Sequence, residues 1–262
     1  MGNLADHLTG SKPTGEGGTV IPKEIQACIF DLDGVITDTA SVHAAAWTRM
    51  FDDFLRSRPE ASGEDLSRFE PDDYRRYVDG KPRYDGVQSF LESRGVSLPY
   101  GSPDDPPGSE TVCGLGNRKN EEFQRHLDEN GVQVFPDTIA FIDGLHQRGI
   151  RTAVISASRN CRPVLRAAGV EDLFETRVDG VVAAELGLPG KPDPAVFLEA
   201  ARRLDATPHH AAIVEDALAG VEAGKRGGFA LVIGVDRTGH PDDLLEHGAT
   251  VVSSDLARLL DE

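Results

Sequence analysis

Short apolar runs rich in β-branched residues recur along the chain: "QACIF" from Gln26, "RTAVIS" from Arg151, "AAIVE" from Ala211, "FALVIGV" from Phe229 and "TVVSS" from Thr250. Continuous apolar runs of this length suit strands buried on both faces. The last four are separated by stretches of helical spacing. "PDTIAFIDGLHQRG" sets Ile139, Ile142 and Leu145 on one face and stops at Gly149, where a glycine commonly ends a helix. "KPDPAVFLEAARRL" carries Pro194 near its start, where a missing N–H costs little. Strand–helix alternation of this kind predicts an α/β fold built on a doubly wound, Rossmann-like parallel sheet.

One long stretch breaks the alternation. From Ala40 to Phe135 the chain is dense in charge and short of β-branched runs, which predicts an inserted α-helical cap domain over 40–135. The α/β core is then 26–39 together with 136–262. Inside the insertion, "LPYGSPDDPPGSE" (Leu98 to Glu110) crowds Pro, Gly, Ser and Asp, and is expected to be an exposed, solvated loop. Residues 1–25 are rich in Gly, Pro, Ser and Thr without apolar periodicity and are expected to form a flexible tail. No solenoid repeat or low-complexity tract is present.

Composition narrows the function. With 262 residues, 39% of them hydrophobic, the chain can bury a substantial core. A formal net charge of −17 repels polyanions, so nucleic acid is not an expected partner. Cys28, Cys113 and Cys161 form no CxxC pair and cannot close a complete disulfide framework, and Cys113 and Cys161 are expected to pack in the interior. No apolar run has transmembrane length and no signal-peptide pattern opens the sequence. A monomer in the cytoplasm, away from membranes, is the expectation.

The candidate chemistry lies at the predicted strand ends, where parallel sheets collect ligands. Asp31 and Asp33 follow the first strand in "IFDLDGVITDTA", and Glu215 and Asp216 follow another in "AAIVEDALAG". Converging carboxylates repel unless a hard divalent cation sits among them, so Mg²⁺ is expected on Asp31, Asp33, Glu215 and Asp216. "VISAS" offers the hydroxyls of Ser156 and Ser158, and "GKPDP" brings Lys191 to a helix start. Hydroxyls with a positive charge suit a phosphoryl oxygen. Taken singly, an Asp-x-Asp is usually a turn or cap and a strand-end serine usually caps a helix. Their joint order along successive strand ends is the signal. The tandem His209 and His210 lack metal-like partners and read as a surface connection.

In that order the residues resemble the haloacid dehalogenase superfamily, whose members mostly transfer phosphate. The four motifs match Asp31/Asp33, Ser156, Lys191 and Glu215/Asp216. The resemblance implies that Asp31 is a nucleophile forming an aspartyl phosphate and that Asp33 is the general acid and base, with Ser156 and Lys191 completing the catalytic set. "FDLDGVITDTASVHAAAW", "ISASRN", "DGKPRYDGV" and "LGNRKNEEF" look more closely like the β-phosphoglucomutase group. That likeness implies that His43 orients Asp33, while Arg83, Lys119, Ser158, Arg159 and Asn160 bind substrate. Arg83 would hold the phosphate that is not being transferred. The expected reaction converts β-glucose 1-phosphate to glucose 6-phosphate through the 1,6-bisphosphate. The alternative is hydrolysis of a sugar phosphate or similar phosphomonoester on the same fold. Departures from the group are Arg159 where lysine is commoner, Ala217 after the acidic pair, the Pro-rich loop and the tail.

Overall fold

A computed structural model describes residues 21–59 and 63–260. The tail expectation therefore falls almost wholly outside the described residues. Six parallel strands form one sheet in the order β3-β2-β1-β4-β5-β6. They are β1 (Ala27–Asp31), β2 (Arg151–Ile155), β3 (Thr176–Val178), β4 (Ala211–Glu215), β5 (Leu231–Val235) and β6 (Val251–Ser253). The sequence pattern missed β3, whose three residues are too few to show a pattern.

Alternation along β1 sends Cys28 and Phe30 to one face of the sheet and Ala27 and Ile29 to the other. The first face is covered by α5 (Pro136–Gln147) and α6 (Cys161–Ala167). The second is covered by α8 (Ala195–Arg203) and α9 (Leu218–Arg226), with α10 (Pro241–His247) and α7 (Gly180–Leu186) at its margins. Burial on both faces explains why the strands read as unbroken apolar runs. Along α5 the buried residues include Phe141, Ile142 and Leu145, while Ile139 is half-buried.

Between β1 and α5 lie α1 (Ala40–Ser57), the short α2 (Pro71–Asp73) continuing into a π-helical turn at Tyr74–Val78, α3 (Arg83–Ser93) and α4 (Val112–Asn130). They enclose an apolar cluster of their own around Trp47, Phe51, Phe69 and Phe90. Phe51 is fully buried there, and truncation to alanine would cost roughly 3–5 kcal/mol. The chain leaves and re-enters the sheet side by side. Phe135 N donates to Ile36 O, and Asp38 N to Gln133 O, each at 3.0 Å. Loop 98–110 forms no helix, as its composition predicts, yet it is not merely solvated: Tyr100 lines the central cavity.

Candidate active site

The β1–β2 and β1–β4 registers bring the three motif-bearing strand ends together. Asp31 is level with Ile155, so Ser156 follows directly, and Phe30 is level with Val214, one residue before Glu215. β1 is central, with the strand order running outward on either side, and such a reversal opens a crevice at the carboxyl ends. Lys191, from the connection between α7 and α8, reaches in to donate to Asp31 Oδ1 at 2.6 Å and to Glu215 Oε1. Glu215 Oε2 accepts the backbone N–H groups of Asp216 and Ala217 at 2.7 and 2.9 Å. Two glycines allow this packing. A Cβ on Gly34, whose φ is +87°, would lie 1.8 Å from Asp216 Oδ2, and one on Gly220 would lie 1.6 Å from Glu215 Oε1.

Burial raises the carboxyl of Asp31 well above the usual range; Lys191 pulls it down, while Glu215 and Asp33 push it up. Asp216 is likewise raised, first by burial and then by Asp79, Glu215 and Asp31. Burial would lower Lys191, but the pull of Asp31 and Glu215 wins and holds it above its ordinary value.

Asp33 lives in different surroundings. Thr39 Oγ1 donates to its Oδ1 at 2.5 Å, and His43 Nε2 lies 3.3 Å from the same oxygen. Ser156 Oγ donates to Oδ2 at 3.3 Å. Burial works to raise this carboxyl, but His43, Thr39 and Lys119 outweigh it and hold it at about 2. His43 stacks on Phe123 at 3.9 Å between ring centroids and contacts Lys119 Nζ through Nδ1. Burial followed by the Lys119 charge keeps the imidazole below its usual range. Lys119 itself is lowered to about 7, by burial and then by Arg83.

The expected substrate residues converge on the same cavity, which has a volume of about 330 Å³. From α3, Arg83 donates to Asn117 Oδ1 at 3.3 Å and Asn120 Oδ1 at 2.7 Å. Asn160, at the end of the β2 loop, donates to Asn120 Oδ1 at 2.8 Å and so ties that loop to α4. Ser156 Oγ and Ser158 Oγ accept backbone N–H groups two residues on, which fixes the loop carrying Arg159. Burial and the nearby Arg159 charge both lower Arg83. Both guanidiniums line the one cavity, and the hydrogen-bond partners of Arg83 are amides, not carboxylates.

The haloacid dehalogenase-like hydrolase family matches residues 25–228. The chain belongs to that family. A β-phosphoglucomutase of Mycobacterium bovis is 50% identical over 244 residues, covering 92% of this chain and 93% of that protein. The Bacillus subtilis β-phosphoglucomutase is 32% identical over 212 residues, or 80% and 84% of the two chains. The crystal structure of the Clostridium difficile β-phosphoglucomutase superposes with a TM-score of 0.69 at 27% identity, covering 90% of this chain and 93% of that one. This member of the haloacid dehalogenase-like family is an enzyme, an isomerase or a phosphatase.

Family membership implies a metal, and the acidic group fits one. Among the described residues, Asp31, Glu215 and Asp216 each bring a carboxylate oxygen within 4.8 Å of the others. One lysine among them leaves negative charge over, and an all-oxygen donor set suits a hard divalent cation such as Mg²⁺. Asp33, expected as a fourth side-chain ligand, does not join this group. Its carboxylate is turned to Thr39, His43 and Ser156.

Sequence reasoning missed several residues at the site. Thr39 occupies the position before α1 where a threonine ordinarily caps its own helix, but its side chain makes no cap hydrogen bond. The hydroxyl goes to Asp33 instead. Asp79, after the π-helical turn, also lines the cavity. Burial and then Glu215 raise it to about 7. Nothing in its local sequence signals this, because the neighbouring charges come from distant strands. Cys113 and Cys161 are buried as expected, Trp47 is buried too, and His209 and His210 are exposed. No helix among the described residues is long and apolar enough to cross a membrane.

Proposed function

We propose that the chain is a Mg²⁺-dependent phosphosugar mutase working through an aspartyl phosphate, with segment 40–135 as a cap over a core of 26–39 and 136–262. What supports this above all is the pairing, within one cavity, of the acidic group with Arg83 and Arg159. A guanidinium offers a bidentate fork to phosphate, and a monophosphatase needs no second such site. The same core residues serve hydrolysis, which is the alternative.

In this reading a carboxylate oxygen of Asp31 attacks phosphorus, the bond from phosphorus to the sugar oxygen breaks, and Asp33 gives that oxygen a proton. A sugar hydroxyl then loses its proton to Asp33 and takes the phosphoryl group back. The low value of Asp33 favours the ionised form that accepts this proton, and the proton taken from the sugar hydroxyl in one half of the cycle is the one given to the leaving oxygen in the other, so the cycle leaves the charge on Asp33 unchanged. Asp31, Glu215 and Asp216 would hold Mg²⁺, which when bound supplies charge to offset that on the phosphoryl oxygens. Lys191 adds charge beside Asp31, and Ser156 donates a hydroxyl. His43 and Thr39 fix Asp33, while Arg83, Lys119, Ser158, Arg159 and Asn160 bind the other phosphate and the sugar. Closure of the cap keeps water from the aspartyl phosphate.

The test supplies β-glucose 1-phosphate, Mg²⁺ and a trace of the 1,6-bisphosphate, and follows glucose 6-phosphate and inorganic phosphate together. Glucose 6-phosphate in large excess over phosphate is expected. Phosphate alone would establish the hydrolase, and neither product would overturn both readings.

A further inference from the structure

The Pro-rich loop is more heavily pinned than a connection requires. Backbone N–H groups of Val112 and Cys113 donate to Pro99 O and Tyr100 O, each at 3.0 Å. Asn117 Nδ2 donates to Pro103 O at 2.9 Å and to Asp105 O at 2.8 Å. Asn117 Oδ1 in turn accepts from Tyr84 Oη at 2.9 Å, and Thr111 Oγ1 donates to Asp105 Oδ2 at 2.6 Å. The result holds Tyr100 edge-on to Tyr84, with ring centroids 6.3 Å apart.

Both tyrosines line the cavity that contains Asp31. Asp31 is 6% exposed and Tyr100 is 50% exposed, so the ring stands at the rim while the acids lie within. The Arg83 guanidinium is 5.9 Å from the Tyr84 ring centroid, which puts the aromatic pair on the basic side of the cavity. Leu188 and Pro189 add apolar surface to the same cavity, and Asp85, next to Tyr84 in the chain, is exposed and able to accept from hydroxyls. A rigid aromatic face bordered by a carboxylate matches a pyranose, which has apolar C–H faces and a hydroxylated edge.

We infer that Tyr84 and Tyr100 form a rim subsite for a second sugar ring, so that the enzyme takes disaccharide 6-phosphates as well as monosaccharide phosphates. The inference rests on the proposed phosphoryl transfer to Asp31. The 6-phosphate meets Asp31, the first ring fills the cavity, and the second ring replaces the phosphate that Arg83 would otherwise hold. With the anomeric carbon glycosidically blocked, no anomeric hydroxyl can take the phosphoryl group back. The bond from phosphorus to the 6-oxygen breaks, that oxygen receives the proton that Asp33 carries in the substrate complex, and, with the second ring seated at the rim and the cap thereby kept from closing, water then attacks the aspartyl phosphate. Water returns a proton to Asp33, and the products are free disaccharide and inorganic phosphate.

The experiment compares trehalose 6-phosphate with glucose 6-phosphate in the wild type, Tyr100→Ala and Tyr100→Phe, with Mg²⁺ present. Phosphate release gives kcat/KM, and calorimetric titration of Asp31→Asn in each Tyr100 background gives affinity without turnover. The expected result is tighter binding and higher kcat/KM for the disaccharide. Tyr100→Ala should remove about tenfold more of this for the disaccharide than for the monosaccharide, the scale of one aromatic contact, and Tyr100→Phe should restore it. Affinities within about twofold of each other, or an equal loss for both ligands, would overturn the subsite. Tyr100-dependent disaccharide binding with no turnover of any phosphomonoester would keep the subsite and refute the phosphoryl-transfer reading.

Discussion

Two groups of residues share one cavity and solve opposite electrostatic problems. In the acidic group, strand ends hold Asp31, Glu215 and Asp216 together around one lysine. In the basic group, Arg83 and Arg159 come from different elements and line the same cavity, with amides as the neutral partners of Arg83. The first group is rigid because the backbone of the sheet builds it. The second depends on how helices α3 and α4 sit over the β2 loop, through the hydrogen bond from Asn160 to Asn120. Between them runs the series Asp33, His43, Lys119, in which each charge sets the state of the next. Surplus negative charge on one side and surplus positive charge on the other suit a cation and an anion that must be present together.

Removing Asp31, the proposed nucleophile, tests the acidic side most severely. Asp31→Asn should abolish turnover of both a sugar phosphate and an aryl phosphate, by about 10⁴-fold or more, with circular dichroism confirming the fold. Activity within tenfold of wild type would move the nucleophile elsewhere.

Breaking only the basic side should separate the two activities. Arg83→Ala removes a charge-assisted contact worth about 1.5–3 kcal/mol, so isomerisation should fall by roughly 10- to 100-fold while hydrolysis of an aryl phosphate changes by less than about threefold. Equal losses in both assays would show that Arg83 serves the chemical step itself.

Without metal, the raised carboxyls should make the protein sensitive to pH. Asp79 goes from an ordinary value of 3.8 to about 7 in the fold, and Asp31 and Asp216 are also raised. The folded state then holds more protons than the unfolded chain, so stability should fall as pH rises from about 4 to about 7. Denaturation in chelator would show this as a falling midpoint, flattened in Asp79→Asn. Adding Mg²⁺ at about 100 times its Kd should contribute about 2.7 kcal/mol. A midpoint indifferent to Mg²⁺ would contradict the assigned metal group.

The smallest effect concerns the connecting series. Lys119, near 7 without ligand, regains its proton when an anion binds beside Arg83. Binding of glucose 1,6-bisphosphate at pH 8 should take up a proton, seen as a buffer-dependent heat in calorimetry. Affinity should fall by less than about tenfold per pH unit above 7. Lys119→Met should remove the buffer dependence.

The acidic half of the site was legible because its residues belong to continuous local patterns. An apolar run followed by Asp31 and Asp33, or by Glu215 and Asp216, names both a strand and the edge where it ends. Arg83, Lys119 and Arg159 came only through resemblance, since a basic residue on a helix or loop is usually just solvated. Thr39 escaped because its hydroxyl could equally have capped α1, and Asp79 because its shift comes from burial and from Glu215 on a distant strand. The Pro-rich loop was correctly read as non-helical, yet its composition could not show that Asn117 and Tyr84 would tie it to the cavity rim.

Periodicity and turn chemistry act between neighbours in the chain, so the sequence by itself determined the parallel α/β core, the helical insertion and the strand ends that carry carboxylates. Protonation and partner choice depend on distance through space and on exclusion of water. Only the tertiary structure could therefore decide that Asp33 turns to Thr39 and His43 instead of joining the acidic group, and that Arg83 and Arg159 line one cavity.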